Sequence, residues 1–410
     1  MKAVQIDKNY TKFATAVVAN KIKGHGNSLS SLPLSLVDLP ELKLPDDSWT
    51  FIYPIMSGIC GSDLKTIEAK SSRQLEHSVT FPFVMGHETV AIRADNLKMV
   101  VIESVLSCGS LGIEYCNFCQ NSNIDLCQHQ MYSDIAPGLQ IGYTKDIPGG
   151  WSEFSMAQTD HLIEVPDDIQ EEDAVMVEPM ACAIHGVLKI DPTALKTFNS
   201  KPLVSVIGAG TLGLCVTAAL KYLYKDKITV LTLAKHPYQQ SLAKSLGADN
   251  LADLNNYLNK VRSLSGSLMT GPTLTYGSDI VIDCIGSKDS IHQAIFSTKP
   301  GGQIILVGMP SKTLLDLSLL WQRQITITGA YTYGTETASI LKAKPKRTFD
   351  LAVDAVTKLK LGRLVSAKYS LENYKVAVEH AMNAGSRDST KIVFKNNKEV
   401  LMKKLQRRVQ

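Results

Sequence analysis

Leu203-Val204-Ser205-Val206-Ile207-Gly208-Ala209-Gly210-Thr211-Leu212-Gly213 is the stretch whose reading decides the fold. Its first five residues are apolar or small with β-branched residues prominent, as in a strand of a parallel sheet covered on both faces. They run directly into a G-x-G-x-x-G turn and then into an apolar helical stretch ending near Tyr224. A lone motif of this kind is weak. Here it stands between a strand and a helix, the context that dinucleotide binding requires. The glycines allow a tight turn and bring helix N-terminal N–H groups close to a pyrophosphate. Gly208, Gly210, Thr211, Leu212 and Gly213 are therefore candidate cofactor contacts. The uncharged run 202–220 matches a bilayer in length. Its three glycines divide it into a buried strand and a buried helix, so no membrane span is expected.

Further strand-like runs follow at Ile228 to Leu233, Asp279 to Ile285, Gln303 to Val307 and Ile325 to Gly329, several separated by helical segments. That alternation predicts a doubly wound α/β sheet. NAD-binding sheets of this type carry an Asp or Glu at the end of the second strand, on the ribose 2′-hydroxyl. Here that strand runs into Ala234-Lys235-His236-Pro237, with no acid. Lys235, and His236 when protonated, suit a 2′-phosphate, which carries close to two charges near neutrality. NADP is the expected cofactor in preference to NAD. A solvated loop with an uninvolved lysine is the plainer alternative.

Upstream, Ser57-Gly58-Ile59-Cys60-Gly61-Ser62-Asp63 and Val84-Met85-Gly86-His87-Glu88 supply a thiol, an imidazole and a carboxylate from two loops. Zinc takes these side chains tetrahedrally, and three protein ligands leave one position open for water or substrate. Asp63 is placed to hold the second ring nitrogen of His87 and so fix its tautomer. Singly, Cys60 reads as a small buried hydrophobe and His87 as a satisfied loop histidine; together they read as a metal site. Cys108, Cys116, Cys119 and Cys127 follow, with gaps of seven, two and seven residues in a segment rich in Gly and Asn. Four thiolates without a His make a closed, structural zinc site. A redox pair is the lesser alternative. In Val177-Glu178-Pro179, proline suits a first helical turn and puts Glu178 at the cap.

The whole chain has 410 residues and a net charge of +4, from 43 basic and 39 acidic residues. Such a length predicts two domains. So mild a charge gives no sign of a nucleic-acid partner. The basic run at 395–410, with Lys403, Lys404, Arg407 and Arg408, reads as a solvated end. No apolar leader opens the sequence. Eight cysteines without an export signal point to reduced thiols, metal ligation and a cytoplasmic location.

These pieces resemble one family. Gly58 to Asp63, Gly86-His87-Glu88, the four cysteines from 108 to 127, Val177-Glu178-Pro179, Ile207 to Gly213, Asp283 to Gly286 and Gly301 to Gly308 occur in the order found in the zinc-containing medium-chain alcohol dehydrogenases. Within them the chain looks like the polyol and threonine dehydrogenase branch. The resemblance implies a GroES-like β-barrel catalytic domain at 1–182, an inserted Rossmann domain at 183–331, and a return to the catalytic domain at 332–410. It implies hydride transfer between a secondary alcohol and NAD(P), one catalytic and one structural zinc, and a homodimer or homotetramer. Ser62 would pass the hydroxyl proton outward. Glu178 would bind zinc directly or through a water. Zinc can lower the pKa of bound water from 15.7 to about 7, worth roughly 12 kcal/mol at 1.36 per unit. Two rival classes remain: a zinc-independent quinone or enoyl reductase, and a non-catalytic binding protein that kept the fold. Neither would be expected to keep the Cys60, His87 and Glu88 set.

Overall fold

The computed structural model describes residues 1–15, 32–196, 201–271, 273–341 and 345–402. The chain forms two compact units, Met1–Glu178 with Val356–Gln410, and Pro179–Ala355. Lys403, Lys404, Arg407 and Arg408, read above as part of a solvated tail, lie outside the described residues.

The first unit is built on Trp49–Gly58, a strand buried at nearly every position. It pairs antiparallel with Thr89–Arg93, with Ser155–Gln158 and with Lys391–Lys395. The ladder shifts register between Pro54 and Met56, where proline has no N–H to give. The pairing has a consequence for chemistry. Val393 sits opposite Gly58 and Phe394 opposite Ser57, so the end of the chain lies beside the loop that starts at Cys60. Met99–Ile102, Leu162–Glu164 and Val365–Tyr369 complete this seven-stranded sheet. A smaller sheet joins Leu34–Asp38, Lys2–Ile6 and Phe83–Val84.

Trp151 is fully buried in the core between them, its ring 5.0 Å from Phe394 and its indole N–H donating to Gly58 O at 3.0 Å. Removing such a side chain costs about 3–5 kcal/mol. The strand expected over 99–105 stops at Ile102, because Ser104 and Leu106 turn to bond the 139–141 backbone. The strand expected from Ser152 begins at Ser155, because the Ser152 hydroxyl is engaged with Gly149 O and Phe154 O in the preceding turn.

The second unit holds a six-stranded parallel sheet. Its order is Asn250–Ala252, Thr229–Leu233, Leu203–Ile207, Ser278–Asp283, Thr298–Leu306, Thr326–Gly329. Leu203–Ile207 is buried at all five positions, as its composition predicts. Strand order reverses at this strand: the next two in sequence lie to one side and the following three to the other. Ligands of such sheets bind outside the carboxyl ends of the strands at that crevice. Residues 202–220 divide as expected into this strand and the start of the helix Thr211–Tyr224. Among the described residues no helix is long and apolar enough to cross a membrane.

Residues 332–341 and 345–355 fall in the second unit, although the family resemblance put them with the first. His185 Nδ1 lies 2.5 Å from Glu336 Oε1, Thr348 donates to the same oxygen at 3.1 Å, and Tyr222 bonds Asp354. These side-chain bonds, which hold the segment, leave no periodic trace in the sequence.

Candidate metal centres and coenzyme loop

The strand Trp49–Gly58 delivers Cys60, which caps the helix Gly61–Ile67. Asp63, three residues on, accepts the Cys60 backbone N–H at 2.9 Å through Oδ2. Its other oxygen lies 3.4 Å from His87 Nδ1. Asp63 is thus fully buried and joins both loops, the placement its spacing predicts. The other ring nitrogen of His87, Nε2, has Ser62 Oγ 3.5 Å away. Burial opposes a proton on His87, but the charges of Asp63 and then Cys60 outweigh it and raise the imidazole well above its usual range.

One ligand atom each from Cys60, His87 and Glu88 lies within 4.8 Å of the others. Tetrahedral zinc spaces N, O and S ligands by about 3.3–3.8 Å, so small adjustments close this set on an ion. The donor types fit the metal as well, one soft thiolate with an imidazole and a carboxylate. Glu178 is outside this group. It is the second residue of the helix Val177–Leu188, inside the first turn and not at the cap where the sequence reading put it; it is buried, and its charge reaches Lys391.

Lys391 is the residue beside the candidate site that sequence reasoning missed. It is 1% exposed, and its ammonium is ion-paired with Glu88, itself 2% exposed. It also donates to Ile59 O at 3.4 Å. Burial disfavours its charge, yet Glu88, then Cys60 and Glu178, hold its pKa above the usual 10.5. Gly58 makes room for the pair. A Cβ there would run into Glu88 Oε2 and lie 2.6 Å from Lys391 Cε. The charge account changes accordingly. With zinc held there, Cys60, Glu88 and Glu178 would sum to −1 with the ion, and Lys391 would bring the group to neutral. The faint sequence signal was a lysine directly before the apolar run Ile392-Val393-Phe394.

The four cysteines of the second set also converge within 4.8 Å of one another, Cys108 included. Cys108 Sγ is 3.6 Å from Cys127 Sγ and accepts the Cys116 N–H at 3.3 Å. Burial raises the Cys116 pKa, but N–H groups of Gln128 and Cys119 favour its thiolate and bring it down to about 6. Burial pushes Cys127 up to about 11. Burial likewise raises Cys119, so one thiolate-prone sulfur stands beside two thiols that a divalent ion would have to deprotonate. Every described cysteine is a free thiol.

In the second unit, Gly208 has φ +97 and follows the strand Leu203–Ile207. Gly210 caps the helix Thr211–Tyr224. A Cβ on Gly213 would collide with Gly208 O, so the helix packs this tightly only with glycine there. Thr211 and Leu212 open the helix. The strand Thr229–Leu233 ends where the sequence reading put it. Buried Ala234, exposed Lys235 and half-buried His236, the cap of the helix Pro237–Ser245, follow without a carboxylate.

Two family profiles match the chain, one described as alcohol dehydrogenase GroES-like domain over residues 46–167 and one as zinc-binding dehydrogenase over 211–344. Sorbitol dehydrogenase of Bacillus subtilis is 26% identical over 362 residues, covering 84% of this chain and 90% of the relative. D-arabitol-phosphate dehydrogenase of Enterococcus avium is 24% identical, covering 89% and 95%. Among solved structures, galactitol-1-phosphate dehydrogenase from Escherichia coli superposes with a TM-score of 0.67 at 18% identity, covering 97% of this chain and all of the other.

Proposed function

The chain belongs to the zinc-containing medium-chain alcohol dehydrogenase family, and from that premise we propose that it oxidises a secondary alcohol of a polyol or sugar, reversibly, with NADP preferred over NAD. The observation that carries this reading is the approach of Cys60, His87 and Glu88 ligand atoms to within 4.8 Å. These three residues would hold the catalytic zinc, and Cys108, Cys116, Cys119 and Cys127 a structural one. Bound there, zinc would supply the Lewis acidity that loosens a hydroxyl proton, and the nicotinamide would accept hydride.

The chain's own residues do the rest. Asp63 fixes the His87 ring. Lys391 holds Glu88 and offsets its charge. Ser62 takes the hydroxyl proton and hands it outward. Glu178, buried within reach of Lys391, is assigned to a water or second substrate oxygen at the open position. Polyols, which carry adjacent hydroxyls, suit such a site, and the named relatives act on sugar alcohols or their phosphates.

Gly208, Gly210, Thr211, Leu212 and Gly213 are assigned to the pyrophosphate, and Lys235 with His236 to the 2′-phosphate. A homodimer or homotetramer is proposed, supported by the edge strand Thr326–Gly329 and the exposed Leu317 and Trp321 just before it. A cytoplasmic location is proposed on the free thiols. The test is NAD(P)H absorbance with polyols, sugar phosphates, hydroxy acids and simple alcohols, each with both cofactors. Turnover of a polyol supports the reading, and no turnover of any alcohol by zinc-replete protein refutes it.

A further inference from the structure

We infer that the second unit carries an anion site, built around Arg323, that takes a phosphate group, free or on a small ester. It stands apart from the alcohol chemistry and does not rest on it. Arg323 follows the short helix Ser318–Gln322 and is 6% exposed. Its Nη2 donates to Leu274 O and to Tyr276 O, both at 2.7 Å. Its own carbonyl accepts the Gly301 N–H at 2.8 Å. Main chain and guanidinium are therefore both held in place.

Holding two carbonyls uses one nitrogen of the guanidinium. Nη1 is buried and has no hydrogen-bond partner among the described residues. None of their carboxylates is ion-paired with Arg323 either. Buried charges are normally paired, because an uncompensated one is costly. Burial lowers the pKa of the group and no acid opposes it, yet an arginine keeps its charge in a protein.

Beside it lies a cleft of about 410 Å3, within the size range of small-molecule sites. Thr270, Thr273, Thr275, Gln322 and Gln324 line it with Arg323, and no acidic residue does. Thr275 Oγ1 accepts the Leu268 N–H at 2.9 Å and keeps its own proton to give. Gln322 and Gln324 are exposed, and no described residue bonds their side-chain amides. A Cβ on Gly301, which also lines the cleft, would meet nothing within 4 Å. One cation with hydroxyl and amide donors, and no carboxylate, selects an anion. Phosphate offers several strong acceptor oxygens and suits a guanidinium bidentately. The plainer reading is that Arg323 only clamps the 274–276 backbone. A clamp accounts for the two Nη2 bonds, but not for an unpaired charge bordering a cleft free of acids.

This phosphate is not the coenzyme's. Leu274 and Tyr276 precede the strand Ser278–Asp283, and Arg323 precedes Thr326–Gly329, so the cleft lies at the amino ends of these parallel strands. Gly208 follows the carboxyl end of Leu203–Ile207, at the other edge of the same sheet.

The test is equilibrium dialysis of radiolabelled inorganic phosphate against the zinc-loaded full chain, at constant ionic strength in chloride. One phosphate per chain should bind. Arg323→Gln should weaken it by roughly tenfold or more, the scale of a hydrogen bond to a charged group. That variant also loses the bonds to Leu274 and Tyr276, so a second keeps them. Gln322→Glu alters an exposed side chain, puts an acid into the lining, and should weaken phosphate by roughly tenfold with the melting temperature unchanged. Unlabelled glycerol phosphate should displace the label; displacement at lower concentration than unlabelled phosphate identifies an ester as the ligand, and at higher concentration free phosphate. No bound phosphate, or binding as tight in Gln322→Glu as in wild type, would overturn the site. So would binding that is lost in Lys235→Ala instead, which would place the anion at the coenzyme loop.

Discussion

Lys391→Met removes the counter-ion of Glu88, a buried carboxylate proposed as a zinc ligand. Methionine keeps most of the volume, so the change isolates the charge. Lys391 and Glu88 are 1% and 2% exposed, and solvent does little to screen them. Removing one member of such a pair costs about 3–5 kcal/mol, because the remaining charge is left uncompensated. Against a total stability of about 5–15 kcal/mol, that is a large fraction.

The assay is urea unfolding of the zinc-loaded protein, followed by tryptophan fluorescence, and the midpoint should fall at constant slope. Glu88→Gln combined with Lys391→Met should recover most of the loss, because no buried charge is stranded. The pH dependence has a definite sign. Lys391 has its pKa raised above 10.5 in the folded state. Its contribution is therefore fully present below the unfolded pKa and disappears as pH rises through the folded one. The gap between wild type and Lys391→Met should stay flat around neutrality and close only above about pH 10.5. A single mutant within about 1 kcal/mol of wild type, the scale of an exposed ion pair, would refute the reasoning.

Three other outcomes follow from the same geometry. Gly58→Ala should reduce turnover sharply, since its Cβ runs into Glu88 Oε2 and the Lys391 stem; full activity would show that the pair has room to move. Cys116→Ser should reduce bound zinc from two ions per chain to one and lower the melting temperature while leaving the Cys60 site loaded, and unchanged zinc content would remove the structural assignment. Lys235→Ala should lower kcat/KM for NADP by roughly tenfold, the scale of one screened charge contact, and leave NAD almost untouched; a wild-type preference for NAD would show the strand-end argument to be mistaken.

What could be read in advance was local. Leu203–Ile207 announces itself because a buried parallel strand needs an unbroken apolar run, and Gly208 to Gly213 because a tight strand-to-helix turn needs glycine. Cys60 and Asp63 are bound by helix-cap geometry only three residues apart, and His87 completes the pattern. Lys391 was not legible in this way. Its partner Glu88 is 303 positions away, and only the pairing of Lys391–Lys395 with Trp49–Gly58 brings them together. The stretch after Tyr333 reads only as a chain turning helical, and the side chains that hold Glu336 and Asp354, His185 and Tyr222, lie far upstream.

If Cys60, His87 and Glu88 hold the catalytic zinc, turnover depends on that ion. The direct measurement is zinc content by elemental analysis alongside polyol-dependent NADP reduction, before chelation, after it, and after zinc is restored. Activity should disappear as the more exchangeable of two zincs is lost, and return when zinc is added back. Cys60→Ser should bind only one zinc and stay inactive throughout. Full turnover in a preparation with no metal would contradict the account.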